Sequence, residues 1–217
     1  MNKLLILGAS ALLSLLTACG GGGSGPQQEP AAVKCAGVSI ALYGDSTNDG
    51  VDGATHQRAQ PDPQHALQAE LDAALGPNRV GVSNRAISGS ASADLRAISA
   101  EFDVAVVNFG INDAKLGVPL ATYRANLRRL YRPGVVYKTP NPIWGEAYDV
   151  QPYAAAMRDV ATELGAPVIE TNGFVLGIDH WQAMVPDHLH PTAELYQLIA
   201  KETLQVVAPL VQRVPCQ

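Results

Sequence analysis

Long apolar runs are missing from this sequence. The one at the N-terminus, Leu4 to Leu16, is too short and wrongly flanked to cross a bilayer as a helix. Basic residues are also few. Fifteen Lys and Arg face twenty Asp and Glu, a formal charge of −5, which excludes the basic face that a nucleic-acid partner requires. Cysteine is scarce. The three present, Cys19, Cys35 and Cys216, are too far apart in sequence to suggest a metal site. No Gly-x-Ser-x-Gly pentapeptide occurs, because the Gly21–Gly25 run lacks the spacing, and this excludes the nucleophile elbow of alpha/beta-hydrolases. No internal repeat is visible. What remains is an apolar fraction of 47%, typical of a globular protein, and 183 residues from Cys35 onward, enough for one domain with a substantial core.

The first 18 residues read as a targeting segment. Met1-Asn2-Lys3 carries the positive charge and the Leu4–Leu16 run follows it. Leu16-Thr17-Ala18-Cys19 resembles a bacterial lipobox. That resemblance implies that Cys19 becomes the first mature residue and carries a lipid that anchors the protein to a membrane. The alternative is an ordinary secretory signal with a chance cysteine. Removing residues 1–18 takes away Lys3 and no acid, so the charge becomes −6. Residues 19–34, rich in Gly, Ser, Pro and Gln, read as a flexible tether with a typical reach of ~20–24 Å. Gly20 after the lipidated cysteine, where Asp would signal retention, resembles outer-membrane sorting patterns. The domain of residues 35–217 is expected to face the periplasm or the cell surface.

From Val38 the chain alternates short apolar runs with amphipathic helical patterns. Val38–Tyr43 reads as a strand ending at Gly44. Leu67, Leu71, Ala74 and Leu75 share a helical face that stops at Gly76-Pro77. Arg79–Ser83 is a second strand, and Val104–Phe109 is a third, apolar enough for burial on both faces. Leu120, Tyr123, Leu127 and Leu130 mark a helix ended by Pro133-Gly134, before a fourth strand at Val135–Tyr137. Val150, Tyr153, Met157, Val160, Ala161 and Leu164 mark a long helix, and Pro167–Glu170 a fifth strand. A last helix runs from near Thr192 to about Pro209. Five alternations predict an α/β fold, a parallel sheet with helices on both faces, and a ligand site beyond the carboxyl ends of the strands.

Small and polar residues gather at those ends: Gly44-Asp45-Ser46-Thr47 after the first strand, Asn84 to Gly89 after the second, and Gly110-Ile111-Asn112-Asp113 after the third. Asp187-His188-Leu189-His190-Pro191 precedes the last helix. Each fragment alone is an ordinary turn or helix cap. Together and in this order they resemble the SGNH/GDSL hydrolase family, over roughly residues 38–208. Gly44-Asp45-Ser46 matches the nucleophile block, Gly89 the second, Gly110-x-Asn112-Asp113 the third and Asp187-x-x-His190 the last. Thr47 stands where many members have Leu, and Leu195 where many have Gly. The resemblance implies a three-layer α/β/α sandwich with a five-stranded parallel sheet of flavodoxin-like strand order, and an esterase that needs no cofactor.

The implied roles make chemical sense. Serine is a poor nucleophile until a base takes its proton, and His190 can do so near neutral pH. Asp187, three residues earlier, can return its carboxylate to the imidazole through a tight turn and orient it. The Ser46 and Gly89 N–H groups and the Asn112 amide would stabilise the oxyanion. Asp45 and Asp113 read as turn residues that brace the site. His188 with Asp187 and His190 is also a fragment of a metal-site pattern. His56, His65 and His180 lack the spacing to complete a zinc set, so no metal is expected. Trp144, Tyr148 and Trp181 either line the substrate pocket or cover the core edge. The expected substrate is a small-molecule, glycan or lipid ester. A carbohydrate O-deacetylase, an acyltransferase of the same fold and a non-catalytic binding lipoprotein are the alternatives.

The topology also bears on the cysteines. With Cys19 lipidated, Cys35 and Cys216 remain in an oxidising compartment. Cys35 lies below the start of the first strand. A last helix of about 17 residues covers ~26 Å, more than the ~17–20 Å of a strand, and returns the chain to that same edge. A disulfide between them would close a loop of about 181 residues, worth up to ~5 kcal/mol in the chain-entropy model. The alternative is two separate thiols.

Overall fold

A computed structural model describes residues 37–214. Cys19, Cys35 and Cys216, with the targeting segment and tether, lie outside the described residues. Five parallel strands form one sheet: β1 Val38–Gly44, β2 Val80–Asn84, β3 Val104–Asn108, β4 Val135–Lys138 and β5 Val168–Ile169. Their spatial order is β2-β1-β3-β4-β5, so β1 and β3 are central. The helices are α1 Ser46–Asp49, α2 Pro63–Leu75, α3 Ile111–Lys115, α4 Leu120–Leu130, α5 Gln151–Leu164, α6 Thr171–Leu176 and α7 Ala193–Val211, with a 3₁₀ turn at Trp181–Met184.

Alternation along each strand sorts the side chains into two cores. Ala41, Tyr43, Ala105, Val107 and Tyr137 pack on one face against Tyr123 and Leu127 of α4 and Met157 and Val160 of α5. Ile40, Leu42, Val104, Val106 and Val136 pack on the other against Leu67 and Leu71 of α2 and Ala200 and Val207 of α7. Neither face of the central strands meets water, which is why they read as unbroken apolar runs. A third cluster, with Val175, Trp181, Val185, Leu195 and Ile199, seals the segment between β5 and α7.

The elements expected from the sequence are present, and their ends differ in instructive ways. Helix α4 stops at Leu130 because Pro133 disfavours helical backbone at Arg132. Strand β5 has two residues, not four, since it pairs only with β4 at the sheet's edge. Helix α7 continues through Pro209 to Val211. Helices α1, α3 and α6, of four to six residues, do not appear in the sequence reading, because they are too short to show an amphipathic period. Among the described residues no helix is long and apolar enough to cross a membrane.

Leu71 is wholly buried between α2 and the sheet. Leu71→Ala should lower unfolding stability by about 2–5 kcal/mol, as read by urea denaturation. A change below about 0.5 kcal/mol would mean that the α2 layer contributes little to the core.

Candidate active site

The carboxyl ends of β1, β2 and β3 meet because close main-chain contacts hold them together. A Cβ at Gly44 would collide with the Asn108 carbonyl of β3, so glycine lets β1 end against its neighbour. Asp45 then caps α1. Its carboxylate accepts from the Thr47 N–H at 3.0 Å, and Ser46 begins the helix, 8% exposed. After β2, the Arg85 N–H donates to the Leu42 carbonyl at 2.8 Å and the Ile87 N–H to the Gly44 carbonyl at 2.9 Å. Ser88 Oγ donates to Asp49 Oδ2 at 2.6 Å. The turn from Ile87 to Ser90 places Gly89 at φ +84°, a left-handed conformation open to glycine.

Helix α3 follows β3 and carries Asn112 in its first turn. Asn112 Nδ2 donates to the Ser90 carbonyl at 3.0 Å, which ties α3 to the Gly89 turn. Asp113, fully buried, accepts from the Ser92 N–H at 3.0 Å and the Ser92 hydroxyl at 2.6 Å, and Asn126 Nδ2 donates to the same hydroxyl oxygen at 3.0 Å. Burial pushes the Asp113 carboxyl above its ordinary range against the pull of these hydrogen bonds.

The fourth block arrives from the far end of the chain. Asp187 Oδ1 accepts from the N–H groups of Leu189 at 3.0 Å and His190 at 2.7 Å. Its Oδ2 lies 2.6 Å from His190 Nδ1, and His190 Nε2 lies 2.9 Å from Ser46 Oγ. With the Nδ1 proton donated to the carboxylate, Nε2 is free to accept the serine proton. Burial alone would raise the Asp187 carboxyl. The hydrogen bonds from the His190 ring and from the His190 and Leu189 N–H groups outweigh it and hold the carboxyl below its usual range.

Two loops brace this turn. The first, between α1 and α2, is absent from the sequence reading. Its Gly53 N–H donates to the Pro191 carbonyl at 3.2 Å, and Tyr196 of α7 donates its hydroxyl to the Val51 carbonyl at 2.7 Å. Buried Asp52 accepts from the N–H groups of Ala54 and Thr55 through Oδ1 and from the Ala193 N–H through Oδ2, each at 2.9 Å. It therefore fastens the loop to the start of α7. His56 Nδ1 lies 3.6 Å from Asp187 Oδ2. The Asp52-Gly53 pair is a turn signal in the sequence, but nothing local says what the turn holds.

The second loop, between β4 and α5, clamps the opposite side. Asn141 Nδ2 donates to the Leu189 carbonyl at 3.1 Å and Trp144 Nε1 to the Val185 carbonyl at 2.8 Å. The Trp144 ring stacks on His188, centroids 3.9 Å apart. Trp181 is buried in the third cluster and Tyr148 packs against the first core, so both cover core edges. Among the described residues no three His, Cys, Asp or Glu side chains converge as metal ligands would.

Gly53 gives a test of this bracing without touching Ser46, Asp187 or His190. A Cβ there would overlap the His190 carbonyl and come within 3.0 Å of Asp187 Oδ1. Gly53→Ala should shift the turn and lower kcat by roughly 10²-fold, since displacements of ~1 Å cost about that much. Wild-type kcat in the folded variant would show that the loop does not position the turn.

The comparisons with known proteins bear on the family and the fold. Residues 42–198 match the model of the GDSL-like lipase/acylhydrolase family. No curated protein sequence matches the chain. Among solved structures, a lipase/acylhydrolase from Enterococcus faecalis superposes with a TM-score of 0.70 at 22% identity, over 83% of this chain and 98% of that one. An acetylxylan esterase from Geobacillus stearothermophilus superposes with a TM-score of 0.62 at 22% identity, over 80% and 95%. An alpha/beta hydrolase from the metagenome of Lake Arreo, Spain, gives 0.62 at 22% identity, over 81% and 97%. Identities this low speak for the shared fold, whereas the family match spans most of the chain. With its five-stranded parallel sheet flanked by helices, the chain belongs to the GDSL-like lipase/acylhydrolase, or SGNH hydrolase, family of esterases.

Proposed function

We propose that the protein hydrolyses carboxylic esters through an acyl-enzyme on Ser46. The observation that carries this reading is the unbroken relay from Ser46 Oγ through His190 to Asp187, at 2.9 and 2.6 Å. As Ser46 Oγ attacks the ester carbonyl, its proton passes to His190 Nε2, and Asp187 stabilises the imidazolium. The negative charge forms on the former carbonyl oxygen. Among the described residues neither the Ser46 nor the Gly89 N–H is engaged by a protein acceptor, which leaves both for this oxyanion. Asn112 spends one amide proton on Ser90 and keeps the other. Collapse of the intermediate expels the alkoxide, protonated by His190. Water, activated by the same histidine, then releases the acid.

The substrate class we propose is an ester of a short acyl group. A cavity of about 50 Å³ lies against the turn after β2, lined by Tyr43, Gly44, Ile87, Ser90, Leu95 and Phe109 and by the charged Arg85 and Asp94, and its volume matches a few carbons. An acetylated carbohydrate, the substrate class named for the acetylxylan esterase of the same fold, is one such ester. A fluorophosphonate probe should label the wild type at Ser46 and leave Ser46→Ala unlabelled. Asn112→Ala should lower kcat by ~10²–10³, and acetyl and butyryl esters should turn over faster than octanoyl ones. Full labelling of Ser46→Ala would overturn the mechanism, and faster octanoyl turnover would overturn the short-acyl assignment.

We propose further that the enzyme is an exported lipoprotein, its domain of residues 35–217 tethered by residues 19–34 to a lipid on Cys19, at the outer membrane. The sequence from Met1 to Cys19 supports this reading. The predicted bridge between Cys35 and Cys216 has independent support. Val38 and Val214 line one cavity, and the cysteines lie three residues before the first and two after the second. Mass spectrometry of non-reduced protein from the membrane fraction should find an acylated Cys19 and a cross-linked peptide holding Cys35 and Cys216. An unmodified Cys19, or two alkylatable thiols, would reject the respective proposal.

A further inference from the structure

Lysine is rarely buried, yet Lys138 at the end of β4 is 6% exposed, and the relay above does not use it. Its Nζ donates to Asn48 Oδ1 at 2.8 Å. Its other neighbours are apolar or neutral: Leu42, Leu67, Val106 and Ile199, the Thr203 side chain, and Tyr196, around a cavity of only about 10 Å³. The Tyr196 hydroxyl already donates to Val51. Among the described residues Lys138 makes no ion pair, and the carboxyl whose charge reaches it is that of Asp45, which is 1% exposed and has an Oδ2 without a hydrogen-bond partner. A buried cation and a buried acid therefore lie under the turn that carries Ser46.

We propose that Lys138 is a positioning residue for the hydrolytic site. Its ammonium supplies the counter-charge for the Asp45 carboxylate beneath Ser46 and, through Asn48, fixes the nucleophile turn. This rests on the reading of Ser46 as nucleophile. Three connections tie Lys138 to that turn. Asn48, which it holds, donates its own amide to the Tyr43 carbonyl at the end of β1. The Lys138 carbonyl accepts from Asn108 Nδ2 at 2.8 Å. Thr47 Oγ1 lies 2.9 Å from Asn108 Oδ1 and 2.7 Å from Asp45 Oδ1, with a single proton to donate to either. The residues on both sides of Ser46 are thus fixed from β4.

The charges here are finely set. Burial raises Asp45 to about 6, against the pull of the Thr47 hydroxyl and N–H and of the Lys138 charge. Burial lowers Lys138 to about 8, while Asp45 pulls it back up. Between these values both groups are charged and balance each other. Above about 8, Lys138 loses its proton and leaves an uncompensated anion next to the site where the oxyanion forms.

The test is a cycle of full-length wild type, Lys138→Met, Asp45→Asn and the double variant, with kcat for an ester measured from pH 6 to 10. Wild-type kcat should fall roughly tenfold above about pH 8, and this limb should be absent from Lys138→Met and from the double. At pH 7 the loss in the double should be smaller than the product of the two single losses. A wild-type profile flat to pH 10, a limb that persists in Lys138→Met, or multiplicative losses would overturn the proposal. If a single variant is too unstable to assay, melting temperatures read the same coupling. The double should then lose less than the sum of the singles, and additive shifts would overturn the proposal. Fluorophosphonate labelling of wild-type Ser46 is scored separately, so failure of the serine-hydrolase reading and failure of the Lys138 coupling are distinguishable.

Discussion

One carboxylate organises the catalytic edge. Asp187 receives two main-chain N–H groups on one oxygen and an imidazole nitrogen on the other, so it folds the turn and aims the histidine in a single act. Main-chain donors fix the carboxylate, the carboxylate fixes the ring, and the ring reaches Ser46. The surroundings serve this arrangement. Asp52 and Gly53 hold it from one side, Asn141 and Trp144 from the other, and α7 starts immediately behind it. Charge-assisted hydrogen bonds of this kind resist displacement better than neutral ones, which suits the imidazole–imidazolium cycle proposed for the site.

The edge is polar but not wet. Asp45, Thr47, Asn48, Asn108, Asp113 and Lys138 are all buried within or beside it. Hydrophobic packing could fill the same volume more cheaply, since removing charges from water is costly. What the polar groups provide is direction. Most of them join one strand end to the next: Asn108 joins β3 to β4, Asn48 and Lys138 join α1 to β4, and Asp113 joins α3 to the loop after β2. A purely apolar interface would let those ends slide, whereas directional bonds hold them in register.

How much of this was legible in the sequence depended on whether the signal was local. Leu120–Leu130 announces itself by its helical period, and Val104–Asn108 by a nearly unbroken apolar run that is buried at every position. Ser46, Gly89, Asn112, Asp187 and His190 are legible as fragments at element ends, and their order along the chain marks them as one candidate site. Asp52, Gly53 and Asn141 escaped notice. Each acts on a partner about 48 residues or more away and sits in a loop with no period to mark it. Lys138 escaped for the opposite reason. At the end of an apolar strand a lysine reads as the point where the chain meets water, and only the fold shows it turned inward.

The Ser46–His190 contact spans 144 positions of the sequence. The proposed nucleophile and base therefore meet only when the two ends of the domain are brought together, with the last helix packed against α2. A chain still short of that step has a serine with no base and an unfinished second core. On the proposed mechanism, ester cleavage requires the C-terminal segment that carries His190 to be docked. The long loop slows assembly, because the entropy of closing it is lost before the distant contact stabilises anything. A chain without this contact lacks, on the same mechanism, the base for its serine.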